Sequence, residues 1–270
     1  MKQLFLFLLV SLALSSCEIN VMQPWLNGDT IVPDANARIA RKLYVGGTDG
    51  KTVYSEEKYE YNQQGQLTKI NHLSRNAYGG MDVYSYNDYV YENEGKLTEM
   101  RRFSRYQRGE FSQQGVSKYD YPTNGQISET QYYTDFTTKA LIPQSRWETT
   151  MEQGRKARVI SYYMNNKVFE KSRETVYRYE YNRLVAEVSL NSNNTMGNSL
   201  RYTYKGRTAK AEEFMGNRSE SISEQAFQYD VKGRLIRAEV TKVNALLCVA
   251  MVSGSATVYE YVDCGNKRRF

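Results

Sequence analysis

The body of the chain alternates between apolar and polar side chains over short runs, and most runs end in Asn, Asp or Gly. Tyr59-Glu60-Tyr61-Asn62-Gln63-Gln64-Gly65-Gln66-Leu67 sets the pattern. It returns as Tyr89-Val90-Tyr91-Glu92-Asn93-Glu94-Gly95-Lys96-Leu97 and as Tyr119-Asp120-Tyr121-Pro122-Thr123-Asn124-Gly125-Gln126-Ile127, so that the first Tyr recurs every 30 residues. A degenerate copy falls near Thr149, with Met151 and Gly154, and a clear one follows at Tyr179-Glu180-Tyr181-Asn182-Arg183-Leu184. Later copies lose the strict spacing: Tyr202-Thr203-Tyr204-Lys205-Gly206-Arg207, Phe227-Gln228-Tyr229-Asp230-Val231-Lys232-Gly233-Arg234-Leu235 and Tyr259-Glu260-Tyr261.

Tyr-x-Tyr has a period of two, which places both rings on one face of a strand. The Asn, Asp and Gly that follow tolerate the positive φ of a tight hairpin, and the Leu or Ile after them begins the returning strand. Each unit therefore predicts two antiparallel strands, and the whole chain an up-and-down meander of about 14–16 strands. Twist makes sheets beyond about ten strands curl, split or close, and closure removes the exposed edges. The expected fold is all-β, with the meander curled or closed into a barrel. An open single-layer twisted sheet is the alternative. A membrane-spanning barrel ranks third, because Arg101-Arg102, Glu56-Glu57-Lys58 and Lys205-Gly206-Arg207 interrupt every candidate lipid face.

Composition supports a thin sheet rather than a dense globule. There are 24 Tyr, whose apolar body and polar tip suit half-buried positions on a pleated surface. Only four Pro occur, and no Pro/Gly/Ser-rich hinge divides the chain, so residues 38–270 are expected to form a single repeat domain.

The first residues have a different character. Met1-Lys2 is followed by an apolar run from Leu4 to Leu14 and then by Ser15-Ser16-Cys17. A positive end, a short apolar core and small residues before a cut are the parts of a secretory signal, too short for the roughly twenty residues that span a bilayer. Leu14-Ser15-Ser16-Cys17 resembles the lipobox of bacterial lipoproteins. The resemblance implies cleavage after residue 16 and acylation of Cys17, including a palmitate-type chain, and several chains together hold a protein firmly to a membrane. Glu18 follows in place of the Asp that resembles an inner-membrane retention signal, so the outer membrane is the expected address, with its face left open. Residues 17–37 read as a tether with Pro24, Asn27-Gly28 and Pro33. Within it, Asp29-Thr30-Ile31 resembles an O-glycosylation site of Bacteroidetes-like bacteria, with Thr30 as the acceptor.

The copy Phe227–Leu235 closely resembles the Tyr-Asp repeat of Rhs-type wall and toxin proteins, Y-x-Y-D-x-x-G-R-L, and only this copy carries both the Asp and the Gly-Arg-Leu. Together with the lipobox, the chain is similar to Bacteroidetes-type lipoproteins of unknown function with a porin-like all-β fold. The resemblance spans roughly residues 40–262 and implies a β-sheet shell. It transfers no catalytic residue, since the matching positions are turn and packing positions.

Candidate chemistry is sparse. His72 is the only His, so multi-His zinc sites are excluded; it could fill one imidazole role, but no nearby Ser, Cys or carboxylate pattern singles it out. In Lys69-Ile70-Asn71-His72-Leu73 it is expected as a surface residue. No phosphate loop, paired-Cys metal motif or dinucleotide fingerprint appears, and neither cofactor nor metal is expected. Loss of residues 1–16 removes Lys2 and leaves 35 basic against 30 acidic residues, scattered in sign. Without a concentrated basic footprint, nucleic acid is not an expected partner. Cys248 and Cys264 flank Ser253-Gly254-Ser255. An oxidising envelope favours a disulfide between them, which would stabilise by about 3 kcal/mol, and a buried Cys248 with an exposed Cys264 is the other state. The run 245–252 is the most apolar part of the mature chain, either a strand buried on both faces or a contact patch.

Aromatic faces stack on sugar rings, and Tyr84, Tyr86, Tyr132, Tyr133, Tyr162 and Tyr163 are the candidate binding surface. Cross-strand pairing is the competing role for each. Glu56, Glu57, Asp82, Asp88, Glu212 and Glu213 supply carboxylates, though none stands out as the spaced pair that glycoside hydrolysis requires. The expected function is a lipid-anchored, non-enzymatic envelope module that binds a ligand, glycan or protein partner. A glycoside hydrolase and a periplasmic carrier of lipid or another apolar molecule are the alternatives. A structural shell protein without a pocket is a further one.

Overall fold

The computed structural model describes residues 37–46, 51–105, 109–243 and 255–262. Sixteen strands run through them, without a helix among the described residues. In chain order they are β1 (Ile39–Gly46), β2 (Thr52–Tyr61), β3 (Leu67–Arg75), β4 (Met81–Tyr91), β5 (Leu97–Ser104) and β6 (Ser112–Asp120). Then come β7 (Gln126–Thr134), β8 (Leu141–Glu152), β9 (Arg155–Asn165), β10 (Val168–Glu180) and β11 (Arg183–Asn191). β12 (Met196–Lys205), β13 (Thr208–Met215), β14 (Ser223–Tyr229), β15 (Leu235–Val243) and β16 (Ala256–Tyr261) complete the set. Each strand pairs antiparallel with its neighbours in sequence, and β16 returns to β1, closing the barrel. The closed barrel is thus the form adopted, and the open sheet is not.

The Asn/Asp–Gly turns work as their chemistry requires. Gly233 N donates to Asp230 O at 3.1 Å, and Asp230 N donates to Arg234 O at 2.9 Å. The Asp230 carboxylate accepts from Lys232 N and Arg234 N, while Arg234 Nε reaches its other oxygen at 2.6 Å. Gly233 stands at φ 78°, a conformation that favours Gly, so the Asp, the Gly and the Arg of the repeat are one turn device. Asn62–Gln66 and Glu92–Lys96 repeat its backbone bonds. One copy departs from expectation. Tyr181 lies in the turn rather than on the strand, with Asn182, both at positive φ (50° and 63°). That copy lacks the Gly, so a two-residue turn replaces the longer one, and Tyr177 and Tyr179 become its strand pair. Two-residue turns also join β8 to β9 and β12 to β13.

The units are tied to one another by the second Tyr of five copies. Tyr91 Oη donates to Leu67 O at 2.9 Å, Tyr121 to Leu97 O at 2.9 Å, Tyr204 to Leu184 O at 3.0 Å and Tyr261 to Leu235 O at 2.7 Å. Tyr61 does the same to Ile39 O at 2.8 Å. The ladder shifts register at Tyr61, Tyr91, Tyr179 and Tyr229, and such bulges bend and coil a sheet. The basic residue ahead of the returning Leu then covers the ring. Lys96 lies 5.8 Å from the Tyr121 centroid, Arg183 5.4 Å from Tyr204, and Arg234 5.0 Å from Tyr261. Burial pushes the Tyr204 and Tyr261 hydroxyls up to about 12, so they stay protonated as donors.

Fully buried apolar side chains are few and lie on both faces of the wall. Ala209 and Ala211 share the tyrosine face, whereas Val45, Leu73, Val116 and Phe214 sit on the opposite one. The barrel also has two unlike rims. Seven short turns, together with the entry of β1 and the exit of β16, form one rim, where Val262 N donates to Arg38 O at 2.9 Å. The longer connections, such as 135–140 and 216–222, lie at the other.

Tyr91→Phe should cost about 1 kcal/mol, seen as a melting temperature lower by ~2–4 °C, because the Leu67 carbonyl loses its donor. An unchanged melting temperature would show that the inter-unit bond contributes nothing.

Candidate functional site

Two groups of polar side chains stand out. The first surrounds Glu57 on the tyrosine face. β1 supplies Lys42 and Tyr44, β2 supplies Glu57 and Tyr59, and β3 supplies His72 directly opposite Glu57. Tyr44 Oη donates to Glu57 Oε1 at 2.7 Å and Tyr59 Oη to Oε2, with Lys42 Nζ at 3.4 Å and His72 Nδ1 at 3.7 Å. Burial raises the Glu57 carboxyl, but the two hydroxyls, Lys42 and His72 outweigh it and hold the group below its usual range. His72 corrects the sequence expectation. Its side chain is 22 % exposed, half-buried between Glu57 and Asn87, whose Nδ2 lies 3.3 Å from Nε2. Burial lowers its pKa, with Glu57 opposing and Lys42 assisting. Every polar atom named here has a partner, so the cluster reads as wall structure rather than as a waiting site.

The second group lines a cleft of about 440 Å³ on the opposite face, over β6 to β9. Asp120, Ser128, Glu148 and Ile160 form one register row across the four strands, and Thr150 and Arg158 form the next. Tyr162 Oη donates to Glu148 Oε2 at 2.8 Å, with Arg146 Nη2 3.1 Å from Oε1 and its guanidinium 4.7 Å from the Tyr162 ring. Arg158 Nε donates to Glu174 Oε1 at 2.7 Å; with Lys171, this draws the Glu174 carboxyl down to about 2. Carboxylates, hydroxyls, Gln126 and an apolar Ile160 thus line one concave surface.

The six tyrosines named from sequence do not share a face. Tyr86 stacks on Phe103 with centroids 4.7 Å apart and is capped by Lys69. It lies with Tyr132 and Tyr162 on the face of the cleft, in the cross-strand packing role. Tyr133 and Tyr163 follow immediately in sequence and so fall on the tyrosine face. Tyr84 sits at a bulge with its ring 6.3 Å from His72. Of the named carboxylates, Glu56 pairs with Arg41 (2.6 Å), Asp88 with Lys69 (3.5 Å) and Glu212 with Lys210 (3.0 Å). Asp82 accepts from Asn76, and Glu213 from Asn198 and Ser223. Glu56 and Glu57 point to opposite faces. The carboxylates that do converge on a cleft, Asp120 and Glu148, were missed; the signal available was that Tyr119-Asp120 alternates faces inside a repeat. Cys17, Thr30, Cys248 and Cys264, and the apolar run 245–252, lie outside the described residues. Among the described residues no cluster of metal ligands occurs.

No protein-family model matches the sequence, and no curated protein matches it either. Similar solved structures include a porin-like protein from Bacteroides uniformis, with TM-score 0.40, 9 % identity and coverage of 83 % of this chain and 96 % of that one. A porin-like protein from Bacteroides vulgatus matches with TM-score 0.37, 13 % identity and coverage of 84 % and 99 %. A protein of unknown function from Bacteroides fragilis matches with TM-score 0.38, 16 % identity and coverage of 49 % and 92 %.

The lowered pKa of His72 gives a pH dependence with a definite sign. The unfolded chain takes up its proton at the ordinary value of 6.5, before the folded one does. Stability should therefore fall as pH drops through 6.5 toward the folded value. His72→Gln should flatten the change in melting temperature between pH 7.5 and 5.5, and an equal slope in variant and parent would refute the assignment.

Proposed function

We propose that the protein is a lipid-anchored, non-enzymatic barrel of the bacterial outer membrane that binds a glycan in the cleft over β6 to β9. The observation that carries this reading is the cleft itself, with Asp120, Ser128, Glu148, Thr150 and Arg158 directed into about 440 Å³ beside Tyr162. Alternating carboxylates, hydroxyls and a guanidinium suit a polyhydroxylated ligand, whose hydroxyls both donate and accept. The lipobox-like Leu14-Ser15-Ser16-Cys17 supports the anchor, and the tether would enter the barrel at the rim of short turns, directing the longer connections away from the membrane. Tyr-Asp repeats of the Rhs kind account for the turn chemistry of the copies.

A glycoside hydrolase remains the second reading, because Asp120 and Glu148 share the cleft two strands apart. Against it, both Glu148 oxygens are already engaged, Oε1 by Arg146 and Oε2 by the Tyr162 hydroxyl.

Two measurements test this. Wild-type protein should take up a palmitate label and partition into detergent, while Cys17→Ala should do neither; a labelled Cys17→Ala variant would refute the anchor. On glycan arrays the detergent-solubilised protein should retain a saturable signal that Glu148→Gln and Asp120→Asn each weaken by about tenfold, the value of one charge-assisted bond. Release of reducing ends from the retained glycan, lost in Glu148→Gln, would replace binding by hydrolysis.

A further inference from the structure

A second cavity, of about 350 Å³, lies over β10 to β13. It shares the face of the glycan cleft but none of its lining residues. Its construction follows from two register rows. In one, Arg178 pairs with Ala186 and Ala186 with Arg201, so two guanidinium side chains flank a methyl group across about 9–10 Å of sheet. In the neighbouring row Val188 pairs with Ser199 and Ser199 with Phe214, giving a largely apolar floor. Phe214 is only 7 % exposed, and the Arg201 guanidinium stands 4.6 Å from its centroid, which restrains that side chain in place. The loop between β13 and β14 brings a third cation, Arg218, to the cavity edge, with its backbone N bonded to Met215 O at 3.2 Å.

The charge balance there is one-sided. No carboxylate of the described residues comes within ion-pair distance of Arg178, Arg201 or Arg218. Glu212 lies directly across from Arg201 but is turned to Lys210 at 3.0 Å, and Glu187, in β11, faces away to Tyr202. Elsewhere on the barrel, Arg41, Arg101, Arg146, Arg158, Arg234 and Arg237 each have a carboxylate. Arg178, Arg201 and Arg218 have none and line a single cavity with an apolar floor.

We propose that this cavity is a binding site for a small organic anion, a carboxylate or phosphate carried on a compact apolar group. The planar fork of Arg matches two oxygens of such an anion, and Ala186, Val188 and Phe214 take the apolar part. A volume near 350 Å³ is at the lower end of small-molecule pockets and suits a ligand of about one ring.

Phenyl phosphate and benzoate serve as probes, with inorganic phosphate and benzyl alcohol each lacking one half. Calorimetry on the detergent-solubilised full protein should give saturable binding of phenyl phosphate or benzoate, and binding at least about tenfold weaker for both half-probes. Arg178→Gln, Arg201→Gln and Arg218→Gln should each weaken binding by about tenfold or more, while Lys232→Gln, on a distant exposed turn, leaves it unchanged. Arg218 is on a loop, so its variant tests the site even if Arg201→Gln disturbs the wall. Binding unchanged in Arg178→Gln and Arg218→Gln variants that melt like the parent would overturn the proposal. So would inorganic phosphate binding as tightly as phenyl phosphate, or no saturable binding of either complete probe. Because Glu148→Gln leaves this cavity intact, failure here and failure of the glycan reading are separate results.

Discussion

The fold rests on a bond that reaches between hairpins rather than along them. A Tyr hydroxyl at the end of one strand donates to the first carbonyl of the preceding strand, as Tyr91 does to Leu67 and Tyr121 to Leu97. Backbone ladders alone would leave a wide sheet free to slide and flatten. At Tyr61 and Tyr91 these side-chain bonds sit beside bulges, where the ladder is interrupted. Neighbouring units are thus tied together by side chains as well as by the ladder, and the sheet curls until β16 meets β1.

This device explains the composition. A long core is not available, since the fully buried apolar side chains are few and split between the two faces. Tyr offers a ring that covers the wall and a hydroxyl that binds across it, and the cation of the turn covers the ring in its place. Arg234 performs three tasks: it closes its own turn through Asp230, covers Tyr261, and precedes Leu235, whose carbonyl receives the Tyr261 hydroxyl. Selection on such a position acts on turn, packing and closure at once. The cleft and the cavity proposed as sites lie on the face opposite the tyrosines. The Glu57 cluster illustrates the boundary, for its polar atoms are consumed in holding β1, β2 and β3 together. The cavities over β6–β9 and β10–β13 arise where rows of small residues, Ser128 and Ala186, leave room between longer ones.

The strand plan was legible because its signals are local. Tyr-x-Tyr, Asn or Asp, Gly and the following Leu define strand, turn and strand within nine residues, and the resulting hairpins stand where the repeat put them. The exception at Tyr181 is instructive, since a copy without Gly shifts its turn back onto the tyrosine itself. The candidate site was less legible. Tyr132 and Tyr133, or Tyr162 and Tyr163, look like joined platforms in a string of letters, but period two sends neighbours to opposite faces. His72 looked like a surface residue because the polar run around it gives no hint of Glu57, fifteen residues away and directly across the ladder.

The sequence by itself determined an all-β meander, its turns and its approximate strand number, because these depend on residues adjacent in the chain. Only the tertiary structure decided that the sheet closes and that Asp120 meets Glu148 across a cleft. It alone brings Arg178, Arg201 and Arg218 together without a carboxylate. Those outcomes depend on register between distant strands, which bulges shift one residue at a time and which no local pattern encodes.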